Sequence, residues 1–357
     1  MNALRALGPA FLLLVVTLAP GTSFAQTHRP AHRIHTAASH QSPAPDAVTQ
    51  APTQDATEAP LPAAFRNIFW QPNSLQQGSV TFFTVETASP ATRVTGRLLG
   101  KELSFFKGDK PTVWYALAGT DLETVPGTYD LAVSATIPAH GIAHGVKKIV
   151  IAPGDFKTGT VNVAENFVNP DDAGKRQIAA DAVLKNRIYA HLLPTPQWSG
   201  DFKKPVDAPA TPSFGMTRVY NEEMTSEHRG TDFPIKEGAP VSASNSGTVV
   251  LAKELFYEGN CIIIDHSLHF FSIYMHLSRT DVKAGDKVAK GDHIGLTGAT
   301  GRVTGPHLHM GVRWNGAYID PTKLLALTLP ETQARPTPKP APEPKAATRH
   351  ITAHKHR

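Results

Sequence analysis

The sequence predicts a mostly β protein with one connector helix, and three observations point there. Between residues 65 and 165, short runs are separated by turn residues: "SVTFFTVE", "RVTGRLLG", "KELSFFKG", "TVWYALAG", "GTYDLAVSATI" and "VKKIVIA". Strands of that length at that spacing indicate a β-sandwich. In the last third, "VSASNSGTVVLAKEL" and "NCIIIDHSLHFFSIYMHL" alternate or run apolar as antiparallel strands do, and the glycine-spaced "VKAGDKVAKGDHIG" adds tight turns between short strands. Residues 171–193, "DDAGKRQIAADAVLKNRIYAHLL", instead carry a helical stripe through Ile178, Val183, Leu184, Ile188 and Leu192.

From the beginning of the chain, residues 1–25 have an early Arg5, an apolar core from Phe11 to Leu18, and small residues Ser23 and Ala25 ahead of Gln26. This is the pattern of a cleaved secretory signal, so the expected location is periplasmic or secreted. The apolar run falls short of the roughly 20 residues of a spanning helix, with an uncleaved anchor as the alternative. Residues 26–64 are rich in Pro, Ala, Thr and Gln and hold His28, His32, His35 and His40. That composition reads as a flexible spacer, metal scavenging being the other reading.

Within the sandwich region, "VPGTYDLAVSA" enters a strand from a Pro-Gly turn, and His140 and His144 in "PAHGIAHG" read as hairpin decoration. Asp171 and Asp172 suit the first turn of the helix, and Pro194 follows its end. The next segment, "PTPQWSGDFKKPVDAPATPSFG", has too much proline for a regular element and is expected to wrap the domain after it. Residues 166–211 thus form a helical connector and proline-rich linker. The lone Cys261 excludes an internal disulfide and reads as a small buried strand residue.

The formal net charge is +5. Arg5 supplies +1, and residues 331–357, with six Lys or Arg against two Glu, supply +4. Residues 26–330 are therefore neutral, and no nucleic-acid partner is expected. The proline-rich segment 328–357 reads as a solvated tail, with weak contact to anionic envelope polymers as its functional reading.

Four side chains in the last third, His228, Asp232, His307 and His309, stand in the spacings H-x-x-x-D and H-x-H. Zinc takes imidazole nitrogen and carboxylate oxygen at about 2.0–2.2 Å, and a catalytic zinc uses three protein ligands and leaves its fourth position to water. Four candidates are one more than that. On a strand, His307 and His309 share a face while Leu308 and Met310 take the other. The even separation of His228 and Asp232 permits a shared face as well.

The motifs "HRGTDF", "GTVV", "IIIDH", "YMHLS", "VKAGDKVAKGDHIG" and "TGRVTGPHLH" follow in order between residues 212 and 327. Together they resemble the lysostaphin/LytM-type zinc metalloendopeptidases, murein hydrolases that cut peptidoglycan peptides. The resemblance implies an antiparallel-β peptidase domain of the duplicated hybrid-motif kind over 212–327, and an immunoglobulin-like sandwich over 65–165. It also implies zinc as cofactor and peptidoglycan peptides as substrate. Position by position, it implies His228, Asp232 and His309 as metal ligands, His307 as general base and His276 of "YMHLS" as the second catalytic histidine. Family members often use a tyrosine near the site to support the oxyanion, a role that would fall to Tyr220.

Ser267 departs from the common glycine after "IIIDH", which bears on loop shape. His266 and His269 read as strand-end residues and His293 as a surface one. The resemblance also admits a non-catalytic activator of another wall hydrolase. Such members commonly lack metal ligands, and this chain lacks none.

Overall fold

The computed structural model describes residues 60–332 apart from residue 139, all within one compact unit. The expected signal, the spacer up to residue 59 with His28, His32, His35 and His40, and the tail from residue 333 lie outside the described residues, whereas Leu61 and Ala64 at the spacer's end pack against the core. Among the described residues, no helix is long and apolar enough to cross a membrane.

The first strands are β1 (Phe65–Gln71), β2 (Leu75–Gln76), β3 (Val80–Thr87), β4 (Arg93–Leu98), β5 (Lys101–Leu103), β6 (Phe106–Lys107), β7 (Val113–Gly119), β8 (Gly127–Ile137) and β9 (Gly141–Ala152). They form two sheets, ordered β1-β3-β7-β6 and β2-β9-β8-β4-β5. Strand β8 turns Leu131, Val133, Ala135 and Ile137 inward at every second position, as a strand with one covered face must. Sequence patterning missed β1 because a register shift between Phe65 and Asn67 interrupts its two-residue period.

Helix α1 (Asp172–Tyr189) begins as expected, with the Asp171 carboxylate accepting a hydrogen bond from the Gly174 N–H at 2.7 Å. It stops at Tyr189 rather than 193, with Ala190 as its C-cap, and the Leu193 carbonyl accepts from the Leu268 N–H at 2.9 Å. Its buried face follows the apolar stripe only in part, Leu184 and Ile188 packing on the C-terminal core. Val183 and Leu192 are exposed, whereas Gly174, Asp181 and Tyr189 are buried. The helix is turned so that Asp181 Oδ2 accepts from the Phe256 N–H at 2.8 Å and Lys185 pairs with Glu258.

The proline-rich segment after α1 wraps inward as expected, burying Trp198, Phe202, Val206 and Ala208. Trp198 stands edge-on to Phe106 of β6, ring centroids 5.6 Å apart, and 6.1 Å from Phe202. It thereby joins the N-terminal sheets to the C-terminal one.

Beyond this, β10 (Thr158–Val161), β11 (Thr217–Tyr220) and β12 (Met224–Glu227) make a small sheet in which β10 runs parallel to β11. The remaining strands are β13 (Thr231–Pro234), β14 (Pro240–Ser242), β15 (Gly247–Leu255), β16 (Gly259–Asp265), β17 (Phe270–Thr280), β18 (Lys287–Val288), β19 (His293–Thr297), β20 (His307–Trp314) and β21 (Ala317–Ile319), followed by α2 (Pro321–Leu325). Their sheet runs β13-β20-β17-β16-β15-β18, with β14, β19 and β21 paired off that path.

Both faces of this sheet are covered, so β16 reads as a continuous apolar run. Ile262, Ile264 and Tyr274 enter the main core. Cys261, Ile263, Phe271 and Ile273 form a second core with Tyr189, Leu184 and Ile188 of α1. Cys261 is free and buried, as expected.

The turn between β16 and β17 holds Ser267, Leu268 and His269 at φ of 75°, 56° and 59°, the left-handed region that favours glycine. The serine is retained there by hydrogen bonds: its N–H donates to Asp265 Oδ1 at 2.6 Å and its hydroxyl accepts from Gln197 Nε2 at 3.1 Å. His266 is fully buried. Its Nδ1–H donates to the Ser246 carbonyl and its Nε2 accepts from the Ser272 hydroxyl, each at 2.8 Å. His293 is on the surface, against Asp281, and His144 bonds Ser134 on an exposed hairpin.

Candidate metal centre and its cleft

Strand β20 lies between β13 and β17, and this order assembles the site. His309 is directly opposite Asp232 on one side and Met275 on the other, while His307 is opposite Pro234. Directly opposed residues share a face, so Asp232 meets His309. His228 belongs to no strand. It lies on the chain entering β13, its N–H donating to the Met216 carbonyl at 2.8 Å. The H-x-x-x-D spacing therefore works through a bend at Arg229 and Gly230, not through strand alternation. A Cβ on Gly230 would come within 2.3 Å of His309 Nε2 and 2.5 Å of the Met310 carbonyl, so only glycine fits this bend.

Three atoms converge. His228 Nε2 is 2.8 Å from His309 Nδ1 and 3.1 Å from Asp232 Oδ1, and His309 Nδ1 is 2.9 Å from the same oxygen. Among the described residues, His228, Asp232 and His309 are the group whose donor atoms lie close enough to share a metal ion. The His228 Nδ1–H donates to the Ser213 carbonyl at 2.8 Å, which leaves Nε2 with a lone pair. Asp232 Oδ1 is also an acceptor. One proton on His309 Nδ1 can serve only one of these two, whereas a cation serves all three.

The donor set fits zinc. Two imidazole nitrogens and one carboxylate oxygen are its usual ligands, and separations of 2.8–3.1 Å approach the about 3.3 Å between neighbouring donors on a tetrahedral ion with arms of about 2.0 Å. The electrostatics agree. Burial opposes the charge on Asp232, but hydrogen bonds with His228 and His309 outweigh it and hold the carboxyl well below the usual carboxylate range. Burial pulls His309 down to about 4, so it is neutral and able to ligate at neutral pH.

The other two predicted histidines adjoin this triangle. His307 Nδ1–H donates to the Gly305 carbonyl at 2.8 Å, and its Nε2 is 3.6 Å from Asp232 Oδ1. The His276 ring centroid is 5.0 Å from His307 and 5.9 Å from His309, and its Nδ1–H donates to the Thr300 carbonyl at 2.9 Å. A register slip brings it there. Asn260 pairs with Leu277 while Ile262 pairs with Tyr274, so β17 carries an extra residue at Met275–His276. His276 takes φ of 63°, and its N–H bonds the Glu258 carbonyl at 2.9 Å. Burial, with His309 and His307 nearby, pushes the His276 imidazolium well below its ordinary range.

Tyr220 is buried at the end of β11 and lines the cleft together with His228, His276 and His309. Several partners were not visible beforehand. Arg218 Nη2 donates to Asp232 Oδ2 at 2.5 Å, keeping Oδ1 for the triangle. Arg302 lies over the faces of Tyr220 and Tyr257. Basic residues beside a carboxylate motif could have suggested Arg218; the Ser213, Thr300 and Gly305 carbonyls have no sequence signature, since every residue has one.

Residues 226–321 match the family model described as peptidase family M23. Over 96 residues the chain is 45% identical to the peptidoglycan DD-endopeptidase ShyA of Vibrio cholerae, covering 27% of this chain and 22% of that protein. It is 40% identical over 185 residues to an uncharacterized metalloprotease of Haemophilus influenzae, covering 51% of this chain and 38% of that one. The chain thus spans well under half the length of either curated relative. Among solved structures, one from Pseudomonas aeruginosa described as a candidate peptidase M23 aligns with a TM-score of 0.54 at 26% identity, over 70% of this chain and 94% of that one. The C-terminal domain of this chain belongs to peptidase family M23.

Proposed function

We propose that this chain is a zinc-dependent endopeptidase that hydrolyses peptide cross-links of peptidoglycan in the bacterial cell envelope. The convergence of His228 Nε2, Asp232 Oδ1 and His309 Nδ1, with His228 oriented by an outside carbonyl, carries the reading. The DD-endopeptidase named among the relatives supports the substrate class, and the signal-like first 25 residues support action outside the cytoplasm.

When bound, zinc supplies an acidified water and polarises the scissile carbonyl. Arg218 holds the second Asp232 oxygen so that the carboxylate stays oriented. His307 accepts the water proton at Nε2, because its Nδ1–H is committed to Gly305. With its own Nδ1–H on Thr300, the neutral His276 likewise presents Nε2 as an acceptor that orients the nucleophilic water. It donates to a developing oxyanion only after taking up a proton. Tyr220, in the same cleft, supports the oxyanion with its phenol. The complete donor set supports hydrolysis over the non-catalytic activator.

The purified protein is expected to hold about one zinc per chain. It should solubilise peptidoglycan, lose that activity to a chelator and regain it with zinc. A zinc-free protein inert on every wall preparation would refute the reading.

A further inference from the structure

The cleft carries a cation, Arg302, that no carboxylate among the described residues pairs with. Arg302 lines the arm that contains His228, His276 and His309, and also the arm that contains Asp232 and His307. The other arginines lining it are neutralised. Arg218 pairs with Asp232, and Arg229 with Glu123 and Glu227. The remaining carboxylate on that wall, Glu258, is taken by Lys185. Among the described residues, no carboxylate lies within ion-pair distance of Arg302.

Its placement is closely determined. The guanidinium carbon is 4.1 Å from the Tyr220 ring centroid and 4.5 Å from that of Tyr257. Stacking on aromatic faces leaves the N–H edge of the fork available. The Arg302 backbone N–H donates to the Tyr257 carbonyl at 2.9 Å, and a Cβ on Gly301 would come within 2.4 Å of Gly259 N, so residues 300–302 are pressed onto 257–259. Thr300, whose carbonyl orients His276, is two residues away on the same loop. Arg302 is thus fixed relative to the reacting centre by a very short length of chain.

We infer that Arg302 is a specificity-determining residue: its free guanidinium edge takes a carboxylate flanking the scissile amide, selecting acidic cross-links over amidated or polyglycine ones. A planar fork matches a carboxylate with two parallel hydrogen bonds, which a neutral amide cannot return. The inference rests on the endopeptidase reading.

The test uses the purified zinc-loaded chain and two synthetic cross-linked peptides, identical except that the group beside the scissile amide is a free carboxylate in one and a carboxamide in the other. Wild type is expected to favour the carboxylate peptide in kcat/KM by about tenfold, and less at high salt. In Arg302→Gln the ratio should fall to near one; in Arg302→Lys, which keeps the charge without the fork, part of it should remain. Zinc content and melting temperature report whether each variant is folded. Equal cleavage of both peptides by wild type overturns the inference. So does an equal slowing of both by Arg302→Gln, which would make the stack purely structural. If wild type cleaves neither peptide, the endopeptidase reading falls, and calorimetric binding of the same pair decides Arg302: preference for the carboxylate peptide upholds it and equal binding rejects it.

Discussion

His307 and His309 are two residues apart on one strand face, yet their ring atoms have different duties. His309 presents Nδ1 to the triangle, whereas His307 spends Nδ1 on Gly305. Removing the two should therefore have different consequences. His309→Ala is expected to lose zinc, while His307→Ala keeps it and loses about 100-fold or more of turnover. Metal analysis beside initial rates separates them, and equal zinc loss in both would refute the division. Arg218→Met should keep the fold but weaken zinc binding by about 10- to 100-fold, measured by competition with a chromophoric chelator. Four candidate donors were legible in the sequence because metal chemistry restricts them to a few side-chain types at short spacings, and the choice of three among them rested on the family resemblance. Their orientation was not, because it depends on the carbonyls of Ser213, Thr300 and Gly305.

At the scale of elements, the helix matters through what it holds. Asp181 and Lys185 of α1 fasten residues 256 and 258, and the Glu258 carbonyl in turn holds the His276 N–H across the extra residue of β17. An apolar stripe carries no sign of a buried carboxylate, so Asp181 is not legible in it, and Val183, which the stripe includes, is exposed. Asp181→Ala leaves the Phe256 N–H without its partner, at a cost of about 1–3 kcal/mol. Amide exchange at residues 256–258 should quicken and KM should rise while zinc is retained; unchanged exchange there would exclude this route. The β17 slip was equally hidden, since an extra residue in one strand shows only against its partner.

Across the whole molecule, stability depends on the segment that the sequence presented as a linker. Trp198 contacts Phe106 and Phe202 and is fully buried, so Trp198→Ala is expected to destabilise the chain by about 3–5 kcal/mol, read in denaturant. Acid acts through His266, which burial pulls down to about 4 against an unfolded value of about 6.5. Between these values the unfolded chain binds a proton that the folded chain refuses. This share of stability is therefore complete above about pH 6.5 and is lost progressively toward pH 4, up to about 3 kcal/mol. His266→Gln should flatten the slope in that window, and an unchanged slope would discard the assignment.

Cys261 sits in β16, hydrogen-bonded to β15 and β17 on either side and covered by α1, and burial raises its thiol well above the usual range. A thiol-specific dye can reach it only after α1 has lifted from the sheet or the sheet itself has opened. The native chain therefore carries its own single-site opening reporter: labelling should follow the opening equilibrium at low dye concentration and plateau at the opening rate when dye is in excess.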